Sequence, residues 1–187
     1  MTTNLDKVSC IILAGGEGKR VDGADKGLVL YKYIPLIEHV LSSIKPQVDE
    51  IVISANRNID MYKEYGYKVI VDTAEDYKGP LAGIAAALPY CTYDRVLIVP
   101  CDMPYLSDNI VEKLSGKADK DISIVESDNK MQLVFLMHKK LLTSIQQSLE
   151  SEQLRLMQWV KSHQPAVIKF PDDCAFKNFN KRADIDK

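Results

Sequence analysis

Short apolar runs separated by segments of helical period fix the class of this chain before any motif is considered. VSCIILA (Val8 to Ala14), EIVISA (Glu50 to Ala55), KVIVD (Lys68 to Asp72) and DRVLIVPCD (Asp94 to Asp102) are continuous rather than alternating, as in strands buried on both faces of a sheet. Between them, IPLIEHVLSSI (Ile34 to Ile44) spaces its apolar residues for a helix with Pro35 in the first turn. NIDMYKEYG predicts a short helix closed by Gly66, and GPLAGIAAAL (Gly79 to Leu88) a helix of small residues. SDNIVEKL follows, with Ser107 as its expected N-cap. DISIVES and QLVFLMH predict two strands joined by DNK, then helices near 139–149 and 152–162, then a last strand at AVIKF. The alternation predicts an α/β fold of three layers, Rossmann-like, with a mostly parallel central sheet. No repeat or linker divides the 187 residues, so 1–187 is expected to be one domain.

In open sheets of this kind ligands sit beyond the carboxyl ends of the strands. The first run leads into Gly15-Gly16, the third ends at Asp72 and the fourth at Asp102. Residues distant in sequence are therefore expected to meet on one edge.

Charge narrows the function further. Lys and Arg number 24 against 26 Asp and Glu, a formal net charge of −2, so nucleic acid is not an expected partner. Cys10, Cys91, Cys101 and Cys174 form no CxxC pair and no zinc spacing, which points to reduced thiols in the cytoplasm. MTTNLDKV lacks the apolar centre of a secretory signal and no run has membrane-spanning length, so no membrane role is expected.

The densest local feature is LAGGEGKRVDGADKG, Leu13 to Gly27, which packs five glycines, two lysines and an arginine into one loop. Glycines let a backbone turn its N–H groups inward around an anion. Arg20 can grip phosphate oxygens bidentately, and Lys26 can act as a compact point charge. The alternative is a solvated surface loop. GEGKR lacks the hydroxyl residue of a P-loop, and GGEGKR does not open a helix as a dinucleotide fingerprint does.

The chain resembles the nucleotidyltransferases, and among them the bacterial molybdenum cofactor guanylyltransferases. The resemblance is carried, in family order, by LAGGEGKR, DKGL, SANRN, VDTAEDYKGPLAGI and PCDMPYL, with FKNFNKRADI similar to the closing segment. It implies a nucleotidyltransferase fold and transfer of GMP from GTP to the terminal phosphate of molybdopterin, with Mg²⁺ and release of pyrophosphate. By the same resemblance, the backbone of Leu13, Ala14 and Gly15 contacts GTP, with Gly16 beside them. Arg20 and Lys26 serve the phosphates, Asp72 lies at the guanosine and Asp102 binds Mg²⁺. Ser54 aligns with the family's base-binding Asn, and Asn56 lies nearby. Molybdoenzymes that accept the cofactor, or their chaperones, are the implied downstream partners. Two departures stand out: Val21-Asp22 replaces the usual Met-Gly, and KMQLVFLMH lacks a customary proline.

Each assignment has a plainer counterpart. Asp102 can instead cap the helix near Ser107 or form a surface ion pair, and Asp72 can cap a turn after a strand. Gly79 and Gly83 can serve close helix–sheet packing as well as approach to a nucleoside. His39, His138 and His163 are scattered and take no role, Trp159 reads as core or interface, and Arg155 as a solvated charge. Asn178 and Asn180 either order the acceptor side or cap a helix. Two rival functions remain at this level: a CTP-dependent transferase acting on molybdopterin or a sugar phosphate, and a GTP sensor without turnover.

Overall fold

The computed structural model describes residues 7–16, 25–72, 79–117, 119–171 and 176–179. In chain order its elements are β1 (Val8–Leu13), β2 (Leu30–Tyr31), β3 (Ile34–Pro35), α1 (Leu36–Ile44), β4 (Glu50–Ser54), α2 (Ile59–Lys63) and β5 (Lys68–Ile70). They continue as α3 (Pro80–Ala87), β6 (Arg95–Pro100), α4 (Ile110–Ser115), β7 (Ile122–Ser127), β8 (Lys130–His138), α5 (Leu142–Glu150), α6 (Leu156–Ser162) and β9 (Ala166–Lys169). Among the described residues, seven strands form one sheet in the order β5-β4-β1-β6-β8-β7-β9, and β2 pairs with β3 in a small ribbon. β8 alone runs against the others, antiparallel to both β6 and β7.

The central strands are apolar throughout because both faces are covered. Cys10, Ile12, Ile53, Leu97 and Val99 face a core completed by Ile37, Val40 and Ile44 of α1, Tyr62 of α2 and Leu114 of α4. Ile11, Val52, Val96 and Ile98 face a second core with Leu81 and Ile84 of α3, Ile145 of α5 and Trp159 of α6. Successive residues of one strand thus serve opposite layers, which is the period-two geometry of a strand in a three-layer sandwich. Trp159 is core: its Nε1 donates to Ser144 Oγ at 3.1 Å, tying α6 to α5.

Several boundaries differ from expectation. Ile34 and Pro35 pair with Leu30 and Tyr31, so α1 begins at Leu36 with Pro35 as its N-cap. Proline has no N–H to lose at that position. Asn109, not Ser107, is the N-cap of α4; Ser107 Oγ donates to Asn109 Oδ1 at 2.8 Å. The helix expected from residue 152 starts at Leu156, because Glu152 takes a left-handed φ of 56° that ends one helix and delays the next. The DNK turn is a hairpin in which Asp128 and Asn129 both have positive φ, the mirror-image turn geometry that matches strand twist.

Candidate active site at the carboxyl edge of the sheet

Strand register builds the site. Leu13 of β1 pairs with Ser54 of β4 and with Pro100 of β6, and Ser54 pairs with Ile70 of β5. These four residues form one row across the sheet. Gly15, Asn56, Asp72 and Asp102 each lie two residues beyond that row, so four segments reach the same depth past the carboxyl edge. Backbone bonds continue the ladder past the strands: Ala14 N–H donates to Ser54 O at 2.7 Å, Ala55 N–H to Ile70 O at 3.0 Å and Cys101 N–H to Leu13 O at 3.1 Å.

Lys26 joins this edge from outside the sheet. It opens a short 3₁₀ turn, Lys26–Leu28, and its Nζ lies 3.2 Å from Asp102 Oδ2. Asp102 is 8% exposed, and burial pushes its carboxyl pKa upward while the neighbouring lysine charge and hydrogen bond pull it back. A buried carboxylate of raised pKa held against a cation is an arrangement poised to receive a second cation or to steer anionic oxygens. The surface ion pair considered for Asp102 is thus an ion pair, but a buried one with Lys26.

On the other side of β1, Asn56 and Asp72 clasp one another. Asn56 Nδ2 donates to Asp72 Oδ2 at 2.7 Å, and Asp72 N–H returns a bond to Asn56 Oδ1 at 3.1 Å. The pair fixes one carboxylate oxygen and leaves the other to the edge. Ser54 is 2% exposed and lies beneath α3: a Cβ at Gly83 would meet Ser54 Oγ at 2.7 Å. Gly83 is therefore needed for close helix–sheet approach. A side chain at Gly15 would meet Asn56 Nδ2 at 3.4 Å, whereas one at Gly16 would meet nothing within 4 Å. Arg57 Nη2 donates to Gly16 O at 3.0 Å and ties the glycine segment to the loop after β4.

Residues 176–179 close the site from the far side. Phe179 N–H donates to Asp102 O at 2.9 Å, and its ring stacks on Tyr31 at 4.7 Å with Tyr105 edge-on to both. Tyr31 and Tyr105 also share a short hydroxyl–hydroxyl hydrogen bond. Asn178 Oδ1 is buried with no hydrogen-bond partner among the described residues. Burial pushes all three described cysteine thiols up, Cys91 to about 12, so none is a ready nucleophile.

The structure thus brings Leu13, Ala14, Gly15, Gly16, Lys26, Ser54, Asn56, Asp72, Gly83 and Asp102 to one edge. Arg20 and Asn180 lie outside the described residues. Sequence reading missed Arg57, Asn58 and Tyr62 as individual contributors. SANRN was conspicuous as a block, but nothing in the spacing of NIDMYKEYG marked Tyr62.

Residues 10–167 match the model of the MobA-like NTP transferase domain. The chain belongs to the MobA-like NTP transferase family. Within it, the chain is 39% identical over 179 residues to the molybdenum cofactor guanylyltransferase of Shewanella sediminis, covering 93% of this chain and 91% of that one. It is 34% identical over 185 residues to the enzyme of the same name from Haemophilus influenzae, covering 96% of each. The fold is that of the molybdopterin-guanine dinucleotide biosynthesis protein A from Archaeoglobus fulgidus, with a TM-score of 0.75, 23% identity and 95% of each chain covered. Among the described residues of this family member no helix is long and apolar enough to cross a membrane.

Proposed function

We propose that the chain works as one nucleotidyltransferase domain that transfers GMP from GTP to the phosphate of molybdopterin, forming the guanine dinucleotide cofactor and pyrophosphate. The observation that carries the reading is the 3.2 Å approach of Lys26 to Asp102 across 76 residues of sequence, beside the glycine segment. The name shared by relatives at 34–39% identity supports GTP and molybdopterin as the substrate pair.

In this reading an acceptor phosphate oxygen attacks the α-phosphorus of GTP, a P–O bond forms, and the bond to the β-phosphate oxygen breaks. The attacking phosphate is already ionised, so no nucleophilic side chain is needed, in keeping with the buried thiols. The protein's contribution is positioning and charge stabilisation. The backbone of Leu13 to Gly16 lies along the nucleotide, with the N–H groups of Gly15 and Gly16 turned to the triphosphate because that of Ala14 is spent on Ser54 O. Lys26 neutralises charge that builds on the leaving pyrophosphate, and Arg20 adds a second cation. Asp72, oriented by Asn56, offers its second oxygen to the N–H donors of guanine, and Ser54 supports that side. Asn178 belongs to the acceptor side, where its orphaned oxygen can accept a bond.

A divalent metal fits the donor set. Asp102 is one hard oxygen ligand, and no cluster of three or more His, Cys, Asp or Glu suited to a metal occurs among the described residues. That suits Mg²⁺, which takes one or two carboxylates and completes its shell with phosphate oxygens and water. Bound at Asp102, Mg²⁺ would supply charge stabilisation at the α- and β-phosphates. The free thiols of Cys10, Cys91 and Cys101 are in keeping with a reducing, cytoplasmic setting, where molybdoenzymes or their chaperones would take the finished cofactor.

The test is pyrophosphate release with purified protein, molybdopterin, Mg²⁺ and each nucleoside triphosphate in turn. GTP should be preferred. A clear preference for CTP overturns the guanylyl assignment, and GTP binding without any guanylated pterin makes the chain a sensor.

A further inference from the structure

The phosphate-facing lysine is not placed by its own flexible stem, and what fixes it lies in a buried network next door. Asp25 precedes Lys26, is 9% exposed, and spends both carboxylate oxygens on internal donors. Its Oδ1 accepts from Gly27 N–H at 3.3 Å, capping the 3₁₀ turn that begins at Lys26, and from Tyr62 OH at 2.5 Å. Its Oδ2 accepts from Asn58 Nδ2 at 3.1 Å.

Tyr62 is fully buried, and burial foremost keeps its hydroxyl protonated far above the usual tyrosine range, so it is a permanent donor. Gly27 completes the fit. A Cβ there would clash with Tyr62 OH and lie 3.4 Å from Cys101 Cβ. The turn carrying Lys26 is therefore pressed onto the residue that immediately precedes Asp102. Asn58 adds a link to the other half of the site, since it shares a loop with Asn56, which clasps Asp72, and with Arg57, which holds Gly16.

We infer that Asp25, Tyr62 and Asn58 form a positioning unit that sets Lys26 against Asp102. The inference rests on the nucleotidyltransferase reading above for what Lys26 does, but not for how it is held. None of the three is a catalytic residue. They act through Lys26, held by the turn that Asp25 caps and that Tyr62 and Asn58 anchor.

A double-mutant cycle tests it. Tyr62→Phe keeps the ring in its core and removes the hydroxyl; it should lower kcat/KM for GTP about tenfold. The same change on a Lys26→Met background should lower the residual rate less than about twofold, since a unit acting only through Lys26 has nothing left to position. Affinity for guanosine, which lacks phosphates, should be unchanged in Tyr62→Phe while affinity for GTP falls. Should Tyr62→Phe fold poorly, Asn58→Gly provides the second arm, because glycine keeps the left-handed φ of 49° and removes only the amide. Equal effects with and without Lys26, or matched losses for guanosine and GTP, would reduce the network to ordinary structural support and overturn the inference. The cycle is run with whichever triphosphate the wild-type protein turns over, so a failure of the GTP assignment is seen in the wild type and stays separate.

Discussion

At the amino end of the central sheet Glu50 accepts hydrogen bonds from Ser9 Oγ at 2.6 Å, Thr92 N–H at 2.7 Å and Thr92 Oγ1 at 2.8 Å. At the carboxyl end Asp102 is more deeply set, and among the described residues its carboxylate pairs with Lys26. Burial pushes both carboxyls up. At Glu50 the three donors and Lys68 outweigh it and bring the pKa below the usual range, whereas at Asp102 burial prevails. Glu50 thus sews β1, β4 and the segment entering β6 together at the amino edge. Asp102 is held against its burial cost at the end where the proposed site lies. The same sheet provides both environments because parallel strands bring all their amino ends to one side and all their carboxyl ends to the other.

The sharpest way to break this contrast is Asp102→Asn. Transfer should fall by about a thousandfold or more, the scale of losing a preorganised charge in a phosphoryl-transfer site, while stability shifts by no more than about 1 kcal/mol. Pyrophosphate release and a thermal melt read the two arms. Retention of more than a tenth of the activity would remove Asp102 from the chemistry.

Lys26→Met comes next, with an expected loss of about a hundredfold in kcat/KM. It carries a titration signature as well. The lysine charge opposes the effect of burial on Asp102, so its removal should move the Asp102 carboxyl to still higher pKa in the metal-free protein. Carboxyl carbon NMR against pH would show it. A downward move would mean that the ion pair does not persist in solution.

Glu50→Gln should do the reverse of Asp102→Asn, costing about 1 kcal/mol of stability and leaving transfer within about twofold of wild type. Denaturant unfolding at neutral pH is the measurement. Equal damage to activity would mean that the two edges are not independent.

The smallest effect is the most discriminating. Because the folded pKa of Glu50 is lowered, its contribution is present above the unfolded carboxylate pKa and is lost as pH falls through the folded value. The folded pKa of Asp102 is raised, so its contribution is present below the unfolded pKa and is lost as pH rises through the folded value. Plotted against pH from acid to neutral, the stability of wild type relative to Glu50→Gln should rise, and relative to Asp102→Asn should fall. Slopes of the same sign would undo the comparison.

The class of fold and the edge at which the candidate residues converge were legible in the residues because both follow from local pattern. Continuous branched runs such as EIVIS can be satisfied only between two covering layers, and strands so ordered deliver GG, D and CD to a common edge. The DKG and CDMP segments stood out through the resemblance to the nucleotidyltransferases, which is carried by short runs of adjacent residues. Helix starts were less legible, since Ser107 and Asn109 are equally good caps by type and only the packing of Ile110 and Leu114 into the core decided between them.

The sequence by itself determined a parallel α/β sheet with a cationic, glycine-rich segment at one end and carboxylates ready to meet it. Only the tertiary structure decided which partners each polar group would take: Asn56 for Asp72, Tyr62 and Asn58 for Asp25, and Lys26 for Asp102. These pairings join residues 16 to 76 positions apart. Side-chain type specifies that a buried donor must find an acceptor, but which acceptor lies within hydrogen-bond reach is set by strand register and layer packing, which no local stretch of chain contains.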